Sequence, residues 1–326
     1  MSKIWKFNLG YRIFRFYADW CTGTTYRRIT VEGKEKIPAN TPVILASNHC
    51  CTMMDAAIIL YADDGATAFG ARADIFRSSF APVLHWMKMV PLARIRDGLN
   101  EVAKNYEVFD EVADCLGHEV PFCIYVEGTH RPTRGLQPVK KGVFRIATRT
   151  QQLTNKPVAI VPVGLAYQSF FHMMTDVVVR YGDPIYVDDV PQSKWTSILS
   201  ERILGLIANY PKRRKYPFYV TIPLAIVSLP LFAVSTILCL PILLATYYFK
   251  RRLKDRAWIN TIRYTCKLVL LPFMLIAAGI VGFINLPWWA AVLLLLLVAY
   301  SQSIAYLLHN FYKLIIKDIK KCRKSS

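Results

Sequence analysis

Residues 47–55 read SNHCCTMMD, with His49 closing an apolar run and Asp55 six positions on. A histidine can serve as a general base near neutral pH. A carboxylate accepting from its other ring nitrogen would fix the tautomer and stabilise the imidazolium formed in a reaction. Asp55 is the candidate for that role. No serine nucleophile is needed if a substrate brings its own hydroxyl, because the histidine can activate an alcohol for direct attack on an acyl carbon. Thr52 and Asp55 also have the spacing of a helix capping box, a second and purely structural use for the acid.

Two further segments carry chemistry. In KMVPLARIRDG, Arg94 and Arg96 stand two apart, so an extended chain puts both guanidiniums on one face. Such a pair can grip a phosphate; alternatively it is a solvated strand edge. In VEGTHRPTRG, Glu127 ends an apolar run and needs partners there. Gly128 lets backbone approach a ligand closely. Downstream, Lys140 and Lys141 precede a helical stretch, with Lys141 a second candidate phosphate contact; alternatively the two are a solvated charge pair.

Four apolar runs must position these residues: TPVILASNH, PFCIYVEG, KPVAIVPVGLAY and DVVVRYGDPIYV. They read as buried strands with helical stretches around 98–116, 141–151 and 193–209 between them. Alternating strands and helices predict an α/β fold, a mixed sheet flanked by helices. His49 and Glu127 each follow a strand, where ligands of open α/β sheets bind. They meet only if those two strands are neighbours.

Charge divides the 326-residue chain. Up to Tyr210, Lys and Arg number 24 against 20 Asp and Glu; from Pro211 onward, 17 against 2. The basic blocks flank long apolar runs, which favours anionic lipid over nucleic acid as the partner. Residues 268–284 and 288–308 read as a transmembrane hairpin breaking at Asn285-Leu286-Pro287. Residues 218–249 are uncharged but carry prolines at 223, 230 and 241, and are basic on both flanks. They read as a re-entrant hairpin or two short spans, which put both flanks on the cytoplasmic face where a single crossing would not. Residues 1–27 place Ile4, Phe7, Tyr11, Phe14 and Ala18 on one stripe among basic residues, the pattern of a helix lying at a lipid interface. The alternative is an ordinary core-packing helix. The eight cysteines include no C-x-x-C pair, consistent with reduced thiols. Three parts follow: 1–27 interfacial, 28–210 an α/β domain, and 211–326 a C-terminal helical membrane region with a basic tail.

The order NHxxxxxD, PLARIRDG, VEGTHR and VPVG resembles the glycerol-3-phosphate and lysophosphatidate acyltransferase family over roughly residues 28–190. The resemblance implies His49 as base and Asp55 as its orienting acid. It implies Arg94 or Arg96 on a phosphate, Glu127, Gly128 and Thr129 in substrate binding, and Pro162 shaping the pocket. It also implies an acyl-CoA or acyl-carrier-protein donor, a glycerophosphate or lysophospholipid acceptor, no metal and no cofactor. Two departures stand out. Five residues separate His49 from Asp55 where the family commonly has four, and Val126 replaces the usual proline before Glu127. Competing readings are an acyltransferase for an acceptor without phosphate, such as a lyso-aminolipid, and a non-catalytic lipid-binding scaffold.

Overall fold

The computed structural model describes residues 3–63, 65–93, 105–212 and 217–325. The chain divides into two compact units. The first comprises Met1–Asp19, Ile29–Tyr167 and Val177–Pro211; the second comprises Trp20–Arg28, Gln168–Asp176 and Lys212–Ser326.

The first unit is built on a seven-stranded mixed sheet. Its strands are β1 (Arg28–Glu32), β2 (Val43–Ser47), β3 (Ala68–Arg72), β4 (Met89–Leu92), β5 (Phe122–Tyr125), β6 (Ala159–Tyr167) and β7 (Asp176–Tyr181). Their order is β1-β7-β6-β2-β5-β3-β4. Strand β2 pairs in parallel with β5 on one side and β6 on the other. The sheet turns antiparallel where β6 meets β7. All residues of β2 and β6 are buried, as expected for parallel strands covered on both faces. That is why both read as unbroken apolar runs rather than as alternations.

Helices cover the sheet. Helix α2 (Met53–Ala62) buries Met54, Ile58 and Ile59. After α3 (Ala81–Trp86) and α4 (Asn105–Gly117), helix α5 (Gly142–Thr154) buries Val143, Phe144, Ile146 and Ala147. Helix α6 (Trp195–Ile207) buries Leu199, Ile203 and Ile207, a stripe at four-residue spacing. Phe144 stacks on Trp195 with ring centroids 4.9 Å apart. The buried side chains of α5 and α6 join Ile44 of β2 and Ile160 of β6 in one core. Three strands escape the sequence reading. Strands β1, β3 and β4 are four or five residues long and only partly buried, so they lack the apolar runs that mark the centre.

Helix α1 (Leu9–Gly23) carries Tyr11, Phe14 and Ala18 of the N-terminal stripe. Ile4 and Tyr11 are buried, and Trp86 lies against Tyr11 and Phe14 at 5.9 and 5.3 Å. Phe7 of the same stripe is exposed, as are Leu9, Ile13 and Phe16 beside it. The Arg15 guanidinium donates to the Gly65, Leu60 and Asp63 carbonyls and caps the end of α2.

In the second unit, α7 (Phe218–Leu238) is followed directly by α8 (Leu240–Lys250), then α9 (Ile259–Asn285) and α10 (Trp288–Ser325). Three segments are long and apolar enough to cross a membrane: Val220–Leu238, Arg256–Asn285 and Trp288–Lys317. Pro223 and Pro230 lie inside α7 instead of ending it, and Pro241 stands in the first turn of α8. At 11 residues, α8 is about 16 Å long and cannot cross a bilayer core of about 30 Å. Polar side chains on these helices bind backbone. Asn260, Arg263 and Asn310 donate to the carbonyls of Phe170, Phe171 and Met173 at 3.0, 2.7 and 2.7 Å. Lys267, fully buried, reaches Thr24 Oγ1 at 2.6 Å and the Cys21 carbonyl at 3.4 Å, at the end of α1 where the helix dipole favours a cation.

Candidate active site

The two motifs meet through the order of the strands. Strands β2 and β5 are neighbours, and Ser47 is level with Tyr125. His49 and Glu127 lie two residues beyond that last register pair, at the carboxyl ends of parallel strands. The chain leaves β2 toward β3 on one side, and enters β6 from β5 on the other. The two residues therefore occupy a topological switch point.

The His49 side chain is 17% exposed and Asp55 is fully buried. His49 Nδ1 lies 2.6 Å from Asp55 Oδ2. The same oxygen accepts from the Cys50 and Cys51 amides, each at 2.8 Å. The other oxygen, Oδ1, accepts from the Tyr167 hydroxyl at 2.5 Å. An ionised carboxylate only accepts, so Nδ1 carries the proton toward Asp55 and Nε2 keeps the lone pair. Asp55 does not close a capping box. The Thr52 side chain makes no cap bond to α2, and the carboxylate turns back to the loop amides. Thr52 itself has φ +52°, and this bend brings the loop across the start of α2. Helical spacing leaves His49 and Asp55 on different faces, so the loop does the positioning.

Glu127 is 4% exposed and holds backbone with both oxygens. Oε1 accepts from the His49 amide at 2.7 Å and Oε2 from the Gln137 amide at 3.0 Å. Burial raises the Glu127 carboxyl above its ordinary value, against these two hydrogen bonds, which pull it down. Glu127 thus ties the loop after β2 to the loop after β5. Gly128, exposed at φ +66°, makes the turn that lets it do so. Thr129 is half-buried in the same turn.

Three kinds of position hold the other predicted residues. Lys141 is exposed at the N-cap of α5. Pro162 is buried within β6, level with Ala46 and so short of the strand ends. Its carbonyl accepts from Gly182 at 2.8 Å, so its donorless nitrogen faces the Gly182–Pro184 interruption next to β7. Arg94 and Arg96 lie outside the described residues.

Several residues at the site had no signal in the sequence. The Tyr125 ring stacks on the His49 imidazole at 4.0 Å and 12°, placing a π face against the ring that would become cationic. Burial pushes its hydroxyl well above the ordinary value. His130 stands edge-on to His49 at 5.6 Å. Asn48, 1% exposed, exchanges two hydrogen bonds with the Leu165 backbone, at 3.1 and 2.7 Å, and so sews the end of β2 to β6. Tyr125 and Tyr167 each close an apolar run, where an aromatic reads as core. His130 sits inside the VEGTHR segment without a spacing that marks it. Among the described residues, no group of three His, Cys, Asp or Glu is placed to hold a metal ion.

Residues 28–166 match the family model described as Acyltransferase. That stretch is similar to the family. The match begins at β1 and ends one residue short of Tyr167, so the matched stretch contains both strand-end loops of the cluster. Among solved structures, the chain is similar to the 1-acyl-sn-glycerophosphate (LPA) acyltransferase PlsC from Thermotoga maritima. That likeness has 19% identity and a TM-score of 0.47, over 62% of this chain and 81% of the other. No curated protein matches the chain.

Proposed function

We propose that this protein is a membrane-bound O-acyltransferase that moves a fatty acyl group from a thioester to a hydroxyl of glycerol 3-phosphate or lysophosphatidate. The observation that carries the reading is His49 held through Nδ1 by a buried carboxylate. Nε2 takes the proton of the acceptor hydroxyl as its oxygen attacks the thioester carbonyl. The imidazolium formed is stabilised by Asp55 on one ring edge and by the Tyr125 face. Collapse of the tetrahedral oxyanion expels the thiolate, which recovers the proton from Nε2. An acyl-CoA or acyl-carrier protein supplies the thioester, and the chemistry uses no cofactor. The order of the four motifs supports a phosphorylated acceptor, with Arg94, Arg96 and Lys141 as its contacts. The three apolar helices would anchor the enzyme, and the basic flanks of the first support a catalytic domain on the cytoplasmic face.

The test incubates purified protein with labelled acyl-CoA and, separately, glycerol 3-phosphate, lysophosphatidate and an unphosphorylated lyso-lipid, identifying products by mass. Ester formation on a phosphorylated acceptor is expected. His49→Ala should lose at least about 10²–10⁴ in rate while remaining folded. Transfer by His49→Ala at the wild-type rate, or acylation of the unphosphorylated acceptor alone, overturns the proposal.

A further inference from the structure

We propose that Tyr167 is a positioning residue of this site, acting through Asp55; the inference rests on the reading of His49 and Asp55 as base and orienting acid. The two carboxylate oxygens of Asp55 are treated differently. Oδ2 takes three donors, from His49, Cys50 and Cys51. Oδ1 takes the Tyr167 hydroxyl. Asp55 is fully buried, so the charge on Oδ1 is met by that hydroxyl and not by solvent.

A buried tyrosine hydroxyl needs some acceptor, and one bonded to a neighbouring carbonyl would be ordinary core. This one is directed at the carboxylate behind the base. Its ring is 2% exposed, and its strand is locked two residues earlier by the Asn48–Leu165 exchange. Tyr167 therefore approaches Asp55 from β6, while His49 and the Cys50 and Cys51 amides approach from the loop after β2. Donors on opposite sides leave the carboxylate plane no freedom to rotate. They keep Oδ2, rather than Oδ1, on His49 Nδ1.

The decisive experiment measures acyl transfer and melting temperature for wild type, Tyr167→Phe, Asp55→Asn and the double variant. Tyr167→Phe keeps the ring and removes one hydrogen bond to a charged group. It should lower kcat by about 10- to 100-fold, with donor and acceptor KM unchanged. In the Asp55→Asn background the same change should alter kcat by less than about twofold, because the charge it serves is gone. A merely structural role would cost the same factor in both backgrounds. Replacing Tyr167 with 4-aminophenylalanine, which keeps the ring and supplies N–H donors, should restore kcat to within about threefold. Tyr167→Phe within about threefold of wild type overturns the inference, as does an equal loss in both backgrounds. If the Phe variant does not fold, the 4-aminophenylalanine variant decides: folded but more than about 10-fold slower, it overturns the inference. A wild type that transfers no acyl group sinks the proposed function itself, a separable outcome.

Discussion

Replacing Asp55 by asparagine isolates the charge behind the base from the geometry around it. Oδ2 receives the Cys50 and Cys51 amides as well as the imidazole. An amide nitrogen cannot face two N–H donors, so asparagine must keep its oxygen at that position. It then still accepts from His49 Nδ1, and the tautomer survives. Its NH2 meets the Tyr167 hydroxyl, which can turn to accept. What disappears is the attraction between carboxylate and imidazolium. Two unit charges about 4 Å apart attract by about 4 kcal/mol at an effective dielectric constant of about 20. The expected loss is therefore about 10³-fold in kcat, below the roughly 10⁴-fold seen when such a replacement also imposes the wrong tautomer. The assay is steady-state transfer of labelled acyl groups by purified protein, varying donor and acceptor in turn. KM values should hold, because neither substrate touches Asp55, and so should the melting temperature. An Asp55→Asn enzyme retaining more than about a tenth of wild-type kcat would refute this account of the charge.

Three other outcomes follow from the same geometry. The folded state binds a proton at Glu127 more tightly than the unfolded chain does, since burial raises that carboxyl from 4.5. Its stabilising contribution is therefore present below that value and lost as pH rises through the raised one. The melting temperature of wild type relative to Glu127→Gln should fall as pH rises above 4.5; a flat or rising difference contradicts the assignment. Asn48→Ala strands the buried amide and carbonyl of Leu165 and should cost about 3 kcal/mol in denaturant titrations of detergent-solubilised protein, where a loss below about 1 kcal/mol would be inconsistent. Gly164→Ala places a Cβ 2.5 Å from Leu206 Cβ and should destabilise by about 1–3 kcal/mol; an unchanged melting temperature would show that α6 can move away from β6.

Much of this protein is written locally. Strands β2, β5 and β6 are apolar runs because parallel strands covered on both faces have no wet side, and helix-length apolar stretches follow from bilayer thickness. His49 and Glu127 could be found as polar residues at the ends of such runs. Their meeting could not, because strand order is set by long-range pairing that leaves no periodicity in either segment. The sheet makes β2 and β5 neighbours, puts β6 on the far side of β2, and so lets Tyr167 reach Asp55 across 112 positions of chain. The same limit explains Asp55. Spacing fits a helix cap and an orienting acid equally well, and only the path of the loop through Thr52 turns the carboxylate toward the imidazole. It explains α1 too, where composition marks an amphipathic helix but packing against Trp86 decides which apolar side is covered. Residue type is a property of one position, whereas a buried carboxylate with four donors is a property of three segments brought together, and only their packing supplies it.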